Sequence, residues 1–306
     1  MVLNSYAKLN LYLEVLSRRK DKYHNLEAIF ERTDLADKII LKSRRDNRIR
    51  ITANSREVPC DESNLAFSAA RLLKDKFNLK AGLDIKIIKR IPVASGMAGG
   101  SSNAACVLMG LNKLWKLRLN KKKLLELGKS LGADVPFFMH NCPFARGLGR
   151  GDEIHPLNSL GKVRFWHIVV VPRIQVSTAS VYQKWDKIPQ KVRLTPLDDI
   201  LSKNSHLTGL TSPYSNVKIL ISALRRNDFS LIKRGLFNSL EQTSIKLYPE
   251  IARIKEELAR LGLKSILMSG SGPAVMAIVS SRKEALSLGR QLKRNRFWRI
   301  YVTRTI

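Results

Sequence analysis

One stretch governs how this chain can fold: Pro92-Val93-Ala94-Ser95-Gly96-Met97-Ala98-Gly99-Gly100-Ser101-Ser102. It follows a strand-like run, Leu83 to Ile88, and opens a helix-like run through Trp115. Small residues let a backbone approach an anion closely, and the free N–H groups at a helix start point towards it. The loop lacks the Gly-Lys-Ser/Thr ending of a Walker loop. Its glycine spacing is not that of a dinucleotide fingerprint either. A tight turn before a serine-capped helix would use the same residue types, so the loop alone leaves both readings open.

The 306 residues suffice for one large or two ordinary domains, and 44% hydrophobic content is that of a folded globular chain. Cys60, Cys106 and Cys142 are far apart, giving neither zinc spacing nor a disulfide framework. With no signal-peptide pattern at Met1 to Lys8 and no apolar run of about 20 residues, the expectation is a cytoplasmic protein with no membrane partner. The 55 Lys and Arg against 25 Asp and Glu give a formal charge of +30. Such a field attracts nucleic acid and phosphorylated ligands. The cations are scattered (Arg44 to Arg50, Lys121 to Lys123, Arg290 to Arg299), and no RNA-binding aromatic motif or helix-turn-helix accompanies them. No specific nucleic-acid partner is expected.

Leu9, Leu11, Leu13 and Val15 alternate with polar residues as in a strand. Further strands are predicted at 39–41, 49–51, 85–88, 163–171, 265–269, 274–279 and 298–303. Helices are predicted at 64–77, 101–115, 123–131, 215–225, 228–237, 248–261 and 283–293, with loop and short helix at 176–185. The polar stretch 147–161 reads as a change of domain, giving domains 1–160 and 161–306. The stretch 187–213, with scattered prolines, reads as loop.

Four segments carry candidate chemistry. Lys8 sits between Ala7 and Leu9, either outward on an alternating strand or inside a site. The glycine-rich loop is the second. In Leu131-Gly132-Ala133-Asp134-Val135-Pro136-Phe137-Phe138, Asp134 is a helix cap or, near a lysine, a catalytic base. The fourth, Met268-Ser269-Gly270-Ser271-Gly272-Pro273, is a second glycine-rich turn that would also suit a hairpin.

In this order, Ala-Lys-x-Asn, Pro-x3-Gly-x2-Gly-Gly-Ser-Ser and Met-Ser-Gly-Ser-Gly-Pro, the chain resembles the GHMP kinases. Lys22-Tyr23-His24-Asn25-Leu26 and the segment around Asp134 are similar to one branch, whose acceptor is a small molecule bearing cytidine diphosphate. The resemblance spans roughly Ser5 to Val279 and implies an α+β fold. Its N-terminal domain would be like ribosomal protein S5 domain 2 and its C-terminal domain ferredoxin-like, with the site in the cleft between them.

The same resemblance implies roles. Lys8 and Asp134 would be the catalytic pair, Asp134 taking the acceptor hydroxyl's proton and Lys8 keeping it ionised. Pro92, Val93, Ala94, Ser95, Gly96, Met97, Ala98, Gly99, Gly100, Ser101 and Ser102 would wrap the phosphates of ATP, with Asn64, Leu65 and Lys89 near the nucleotide. Ser101 or Ser102 would contact Mg2+. Asn10, Tyr23, His24, Phe30 and Tyr182 would hold the cytidine end; an ordinary packed tyrosine is the alternative for Tyr182, and a surface or capping histidine for His24. His140, His155, His167 and His206 read as structural. The chain departs from the family at Ala98, at Ala94 or Ser95 and at Lys22, where glycine is usual, and around Gly147 to Glu153 in spacing. The expected assembly is a monomer or homodimer. Another GHMP kinase acting on a small alcohol, or a nucleic-acid binder using the basic surface, are the alternatives.

Overall fold

The computed structural model describes residues 1–189 and 216–306. Most of the 187–213 stretch, and His206 with it, lies outside the described residues.

Strands β1 (Val2–Arg18) and β2 (His24–Arg44) form a long antiparallel hairpin. They anchor a sheet completed by β3 (Ile49–Ala53), β4 (Gly82–Ile88), β5 (Phe144–Leu148), β6 (Glu153–Pro156) and β8 (Phe237–Asn238). Its order is β3-β4-β2-β1-β8, with β5 on β2 and β6 beyond it. β7 (Trp166–Pro172), β9 (Ile266–Met268), β10 (Val275–Val279) and β11 (Trp298–Arg304) form a second sheet in the order β11-β7-β10-β9. Counted within that sheet the order is 4-1-3-2, all antiparallel, the arrangement of a ferredoxin-like domain.

The hydrophobic periods explain the layers. Helices α1 (Leu65–Lys76), α2 (Gly99–Leu114), α3 (Lys121–Leu131) and α4 (Val135–Met139) pack on the first sheet, Ala69, Leu73, Leu108 and Leu111 meeting Ile39, Leu41 and Ile85. α5 (Thr178–Asp186), α6 (Asn216–Arg226), α7 (Phe229–Gly235), α8 (Glu241–Leu247), α9 (Glu250–Arg260) and α10 (Arg282–Leu292) follow. A further apolar cluster joins the sheets, with Leu9, Leu11 and Ile29 against Val169, Val171 and Met276. β1 is therefore covered on both faces: Lys8 and Asn10, on the polar phase of its alternation, are 4% and 0% exposed. That removes the reading of Lys8 as an outward lysine.

Three features lie outside what the sequence pattern led to. The 147–161 stretch, read as a change of domain, holds part of a hairpin of β5 and β6 that stays in the first sheet. The residues after 161 also return to that sheet, since β8 pairs with β1. The short helices α4 and α8 were not expected; each is too brief for a periodic signal.

Candidate active site

β4 ends at Ile88, and the chain turns into the glycine-rich loop around a buried carboxylate. Asp37, fully buried on β2, accepts from the backbone N–H groups of Arg90 (2.7 Å) and Ile91 (2.8 Å). Its other oxygen accepts from Lys89 Nζ and from Asn103 Nδ2 (2.9 Å), and Asn103 also reaches Ser5 Oγ. One side chain thus ties the loop's entry to the first turns of α2. Lys89, which also borders the cavity, is held on Asp37; burial pulls its ammonium pKa down, with the Asp37 charge opposing.

The second glycine-rich turn docks on the first. Ser269 Oγ donates to the Gly96 carbonyl (3.0 Å), Ala274 N–H to the Ser95 carbonyl (3.1 Å), and Lys8 N–H to the Met97 carbonyl (3.2 Å). A Cβ on Gly96 would stand 2.1 Å from the Ser269 carbonyl oxygen, and its φ is +77°. Ala94 and Ala98 also have positive φ, 50° and 53°. The family resemblance implies glycine at Ala98 and at Ala94 or Ser95; the positive φ falls on Ala94 and Ala98, so the backbone keeps the loop's shape and alanine bears strain of about 1–2 kcal/mol.

A cavity of about 880 Å3 runs from this loop to the tip of the β1–β2 hairpin. At its centre Lys8 Nζ lies 2.9 Å from Asp134 Oδ1 and 3.2 Å from Asn10 Oδ1. The Phe30 ring packs under the ammonium at 4.1 Å. Asp134 precedes α4 but its side chain makes no cap hydrogen bond, and it is 36% exposed, facing the cavity. The capping alternative for Asp134 falls.

At one end, Asn64 and Leu65 line the cavity. Asn64 is committed to structure, its Oδ1 accepting from Ala66 N–H and its Nδ2 donating to the Pro59 carbonyl. At the other end His24 stacks on Tyr182 (ring centroids 5.0 Å, 22°) and meets the edge of Trp185. Burial, then the charge of Asp134, pushes the Tyr182 hydroxyl pKa up. Tyr23 is 56% exposed at the rim, with the Arg150 guanidinium 5.2 Å from its ring.

Two expected residues stand apart from the cavity wall. Met97 is fully buried in the cluster between the sheets, contributing its carbonyl to Lys8 N–H. Ser102 is 1% exposed, and Ser5 Oγ donates to its Oγ at 2.7 Å. Of the two serines expected near a cation, Ser102 lies in the network beneath the loop, whereas Ser101 lines the cavity. Phe30, expected against the acceptor, is 2% exposed; it borders the cavity and its ring lies under the Lys8 ammonium. Asp37, Asn103, Arg150 and Asp186 were missed. Asp37 had a signal, since it shares the inward phase of Leu35, Ile39 and Leu41.

A buried lysine paired with a cavity-facing aspartate, beside a doubled glycine-rich cradle, defines a phosphoryl-transfer class. The family model for the GHMP kinases N terminal domain matches residues 64–149, and that for the GHMP kinases C terminal domain matches 220–297. The chain belongs to the GHMP kinases. A curated protein of Geobacillus sp. strain WCH70 named 4-diphosphocytidyl-2-C-methyl-D-erythritol kinase is 41% identical over 279 residues, 91% of this chain and 88% of that protein. One of the same name from Bacillus velezensis is 40% identical over 273 residues, 89% of this chain and 86% of that protein. A crystal structure of 4-(cytidine 5'-diphospho)-2C-methyl-D-erythritol kinase superposes over 100% of both chains with a TM-score of 0.78 at 29% identity.

Proposed function

We propose that this chain transfers the γ-phosphoryl group of ATP to the 2-hydroxyl of 4-diphosphocytidyl-2-C-methyl-D-erythritol. The products are the 2-phosphate and ADP, in the non-mevalonate route to isopentenyl diphosphate. The observation that carries this reading is the 2.9 Å Lys8–Asp134 pair, placed between the glycine-rich loop and the aromatic pocket of His24 and Tyr182. The likeness to the named relatives supports it.

The ATP phosphates lie along the loop, where backbone N–H groups at the start of α2 face them. The acceptor's cytidine end rests among Tyr23, His24 and Tyr182. Its hydroxyl is presented to Asp134, which takes the proton as the O–P bond forms and the bond to the ADP oxygen breaks. Lys8 lies against Asp134 and steadies negative charge at the reacting oxygens; Asn10 and the Phe30 ring hold the ammonium there.

Mg2+ is part of the proposal. Ser101 Oγ lines the cavity near Gly132, and Asp134 adds a carboxylate. Among the described residues no group of three His, Cys, Asp or Glu converges. Such a sparse donor set fits an ion that keeps waters and takes phosphate oxygens as ligands. Bound there, it would neutralise phosphate charge, with Ser101 as its protein contact.

We place the domain division at 160/161, supported by the change from the first sheet to the second between β6 and β7. No described helix is long and apolar enough to cross a membrane; the proposal of a cytoplasmic enzyme rests on its small water-soluble reactants.

The test is ADP release with Mg-ATP and the cytidylylated methylerythritol, beside mevalonate and homoserine. Turnover is expected with the cytidylylated acceptor only. Asp134→Asn should lower kcat by about 10²–10⁴-fold while leaving ATP binding in place. Turnover with mevalonate or homoserine instead, or an unchanged kcat in the variant, would overturn the assignment.

A further inference from the structure

We infer that Asp186 is a positioning residue that fixes the tautomer of His24, so that the acceptor end selects a base carrying an exocyclic amine. This deepens the reading above and rests on it. His24 is 7% exposed, and its Nε2 lies 2.7 Å from Asp186 Oδ1. A carboxylate only accepts, so Nε2 carries the hydrogen and donates. In the neutral ring Nδ1 then keeps a lone pair. Nδ1 has no hydrogen-bond partner among the described residues and is not among the sealed unpartnered atoms of the core, while His24 lines the cavity.

The ring has little freedom to turn. Tyr182 stacks on one face, and Trp185 meets it edge-on at 5.6 Å and 86°. Tyr182, Trp185 and Asp186 fall within one turn of α5, three and four residues apart, so one helix delivers both the clamp and the acceptor. Arg18 Nε, 3.8 Å from Asp186 Oδ2, offsets the carboxylate's charge.

The consequence is a donor–acceptor choice. Cytosine presents an N4 amine, a donor, whereas uracil presents a carbonyl at that position. A lone pair at Nδ1 accepts from the first and faces the second lone pair to lone pair. A site that leaves such a pair unmatched rejects the wrong ligand more strongly than a purely apolar pocket does.

Asp186→Asn tests this, because its amide can donate to Nε2 and so permit the opposite tautomer at nearly unchanged volume. Imidazole 15N spectra of the unliganded wild type at neutral pH should show the Nε2–H form, and Asp186→Asn a mixture. In kinetics with cytidylylated and uridylylated acceptors, Asp186→Asn should raise KM for the cytidylylated compound about tenfold, the equivalent of one lost hydrogen bond. The cytidine-over-uridine preference should fall by a similar factor. KM for ATP should stay put and kcat change less than KM. Asp186→Glu, which keeps the carboxylate, should recover part of the preference. An Nδ1–H or doubly protonated ring in the wild type overturns the inference, as does an unaltered preference in Asp186→Asn. If the wild type uses neither acceptor, the proposed function fails, while the spectra still decide the role of Asp186.

Discussion

At the scale of single residues, the loop is decided by where a Cβ is tolerable. Ala94, Ala98 and Lys22 occupy positive φ (50°, 53° and 68°) and evidently bear the strain. Gly96 has no such latitude: the second glycine-rich turn leaves only 2.1 Å between its would-be methyl and the Ser269 carbonyl oxygen. The obstacle is backbone, so relief requires parting the two turns. Gly96→Ala is expected to destabilise the fold by about 2–4 kcal/mol, from overpacking plus an unfavourable φ, and to raise KM for ATP. Urea unfolding followed by initial rates reads both. Ala98→Gly serves as the control and should shift stability by less than about 1 kcal/mol. Equal effects at the two positions would mean that the contact with Ser269 does not matter.

At the scale of elements, the phosphate loop is held from behind. Asp37 links β2, the exit of β4 and α2 through four hydrogen-bonding groups. Asp37→Leu strands the buried Lys89 ammonium and two N–H groups, and a loss of about 3–5 kcal/mol is expected. Asp37→Asn keeps an acceptor for the backbone and should lose less, yet still raise KM for ATP as the loop's entry loosens. Unchanged stability in both variants would sink this account. The same elements show what a sequence can disclose. The Lys8 and Asp134 segments stood out because each carries a charge in an apolar context, which left a lysine turned outward and a helix cap open; only the order of the motifs joined the two residues as a pair. Long amphipathic helices such as α1 and α2 were legible by period. The Asp186 link to His24 joins residues 162 positions apart, and no local pattern encodes such a contact. The β5–β6 hairpin was hidden by glycines and charges that read as a change of domain, and only its pairing with β2 makes strands of it.

At the scale of the whole molecule, the charge of +30 is not part of the chemistry at Asp134, but the cavity shares it. Lys8, Arg18, Lys22, Lys89 and Arg150 line it against only Asp134 and Asp186. Lys89 and Lys8 are bound to carboxylates, and Arg150 pairs with Asp152. Lys22 stands exposed at the hairpin tip, beside the Tyr23 rim. Both proposed substrates are multiply anionic, so the surface field should gather them before any specific contact forms, and a surface field is screened by salt. Raising ionic strength from about 0.05 to about 0.3 M shortens the screening length from roughly 14 to roughly 6 Å. The expected result is a fall of about 3–10-fold in kcat/KM for both substrates, with kcat itself nearly constant because the Lys8 ammonium is buried and held 2.9 Å from Asp134, a contact shorter than the screening length. Initial rates across a sodium chloride series, with Mg-ATP held constant, decide it. A flat kcat/KM would mean that the basic surface does not steer substrate. A fall in kcat would mean that salt acts on the chemical step, leaving the +30 charge without a kinetic role.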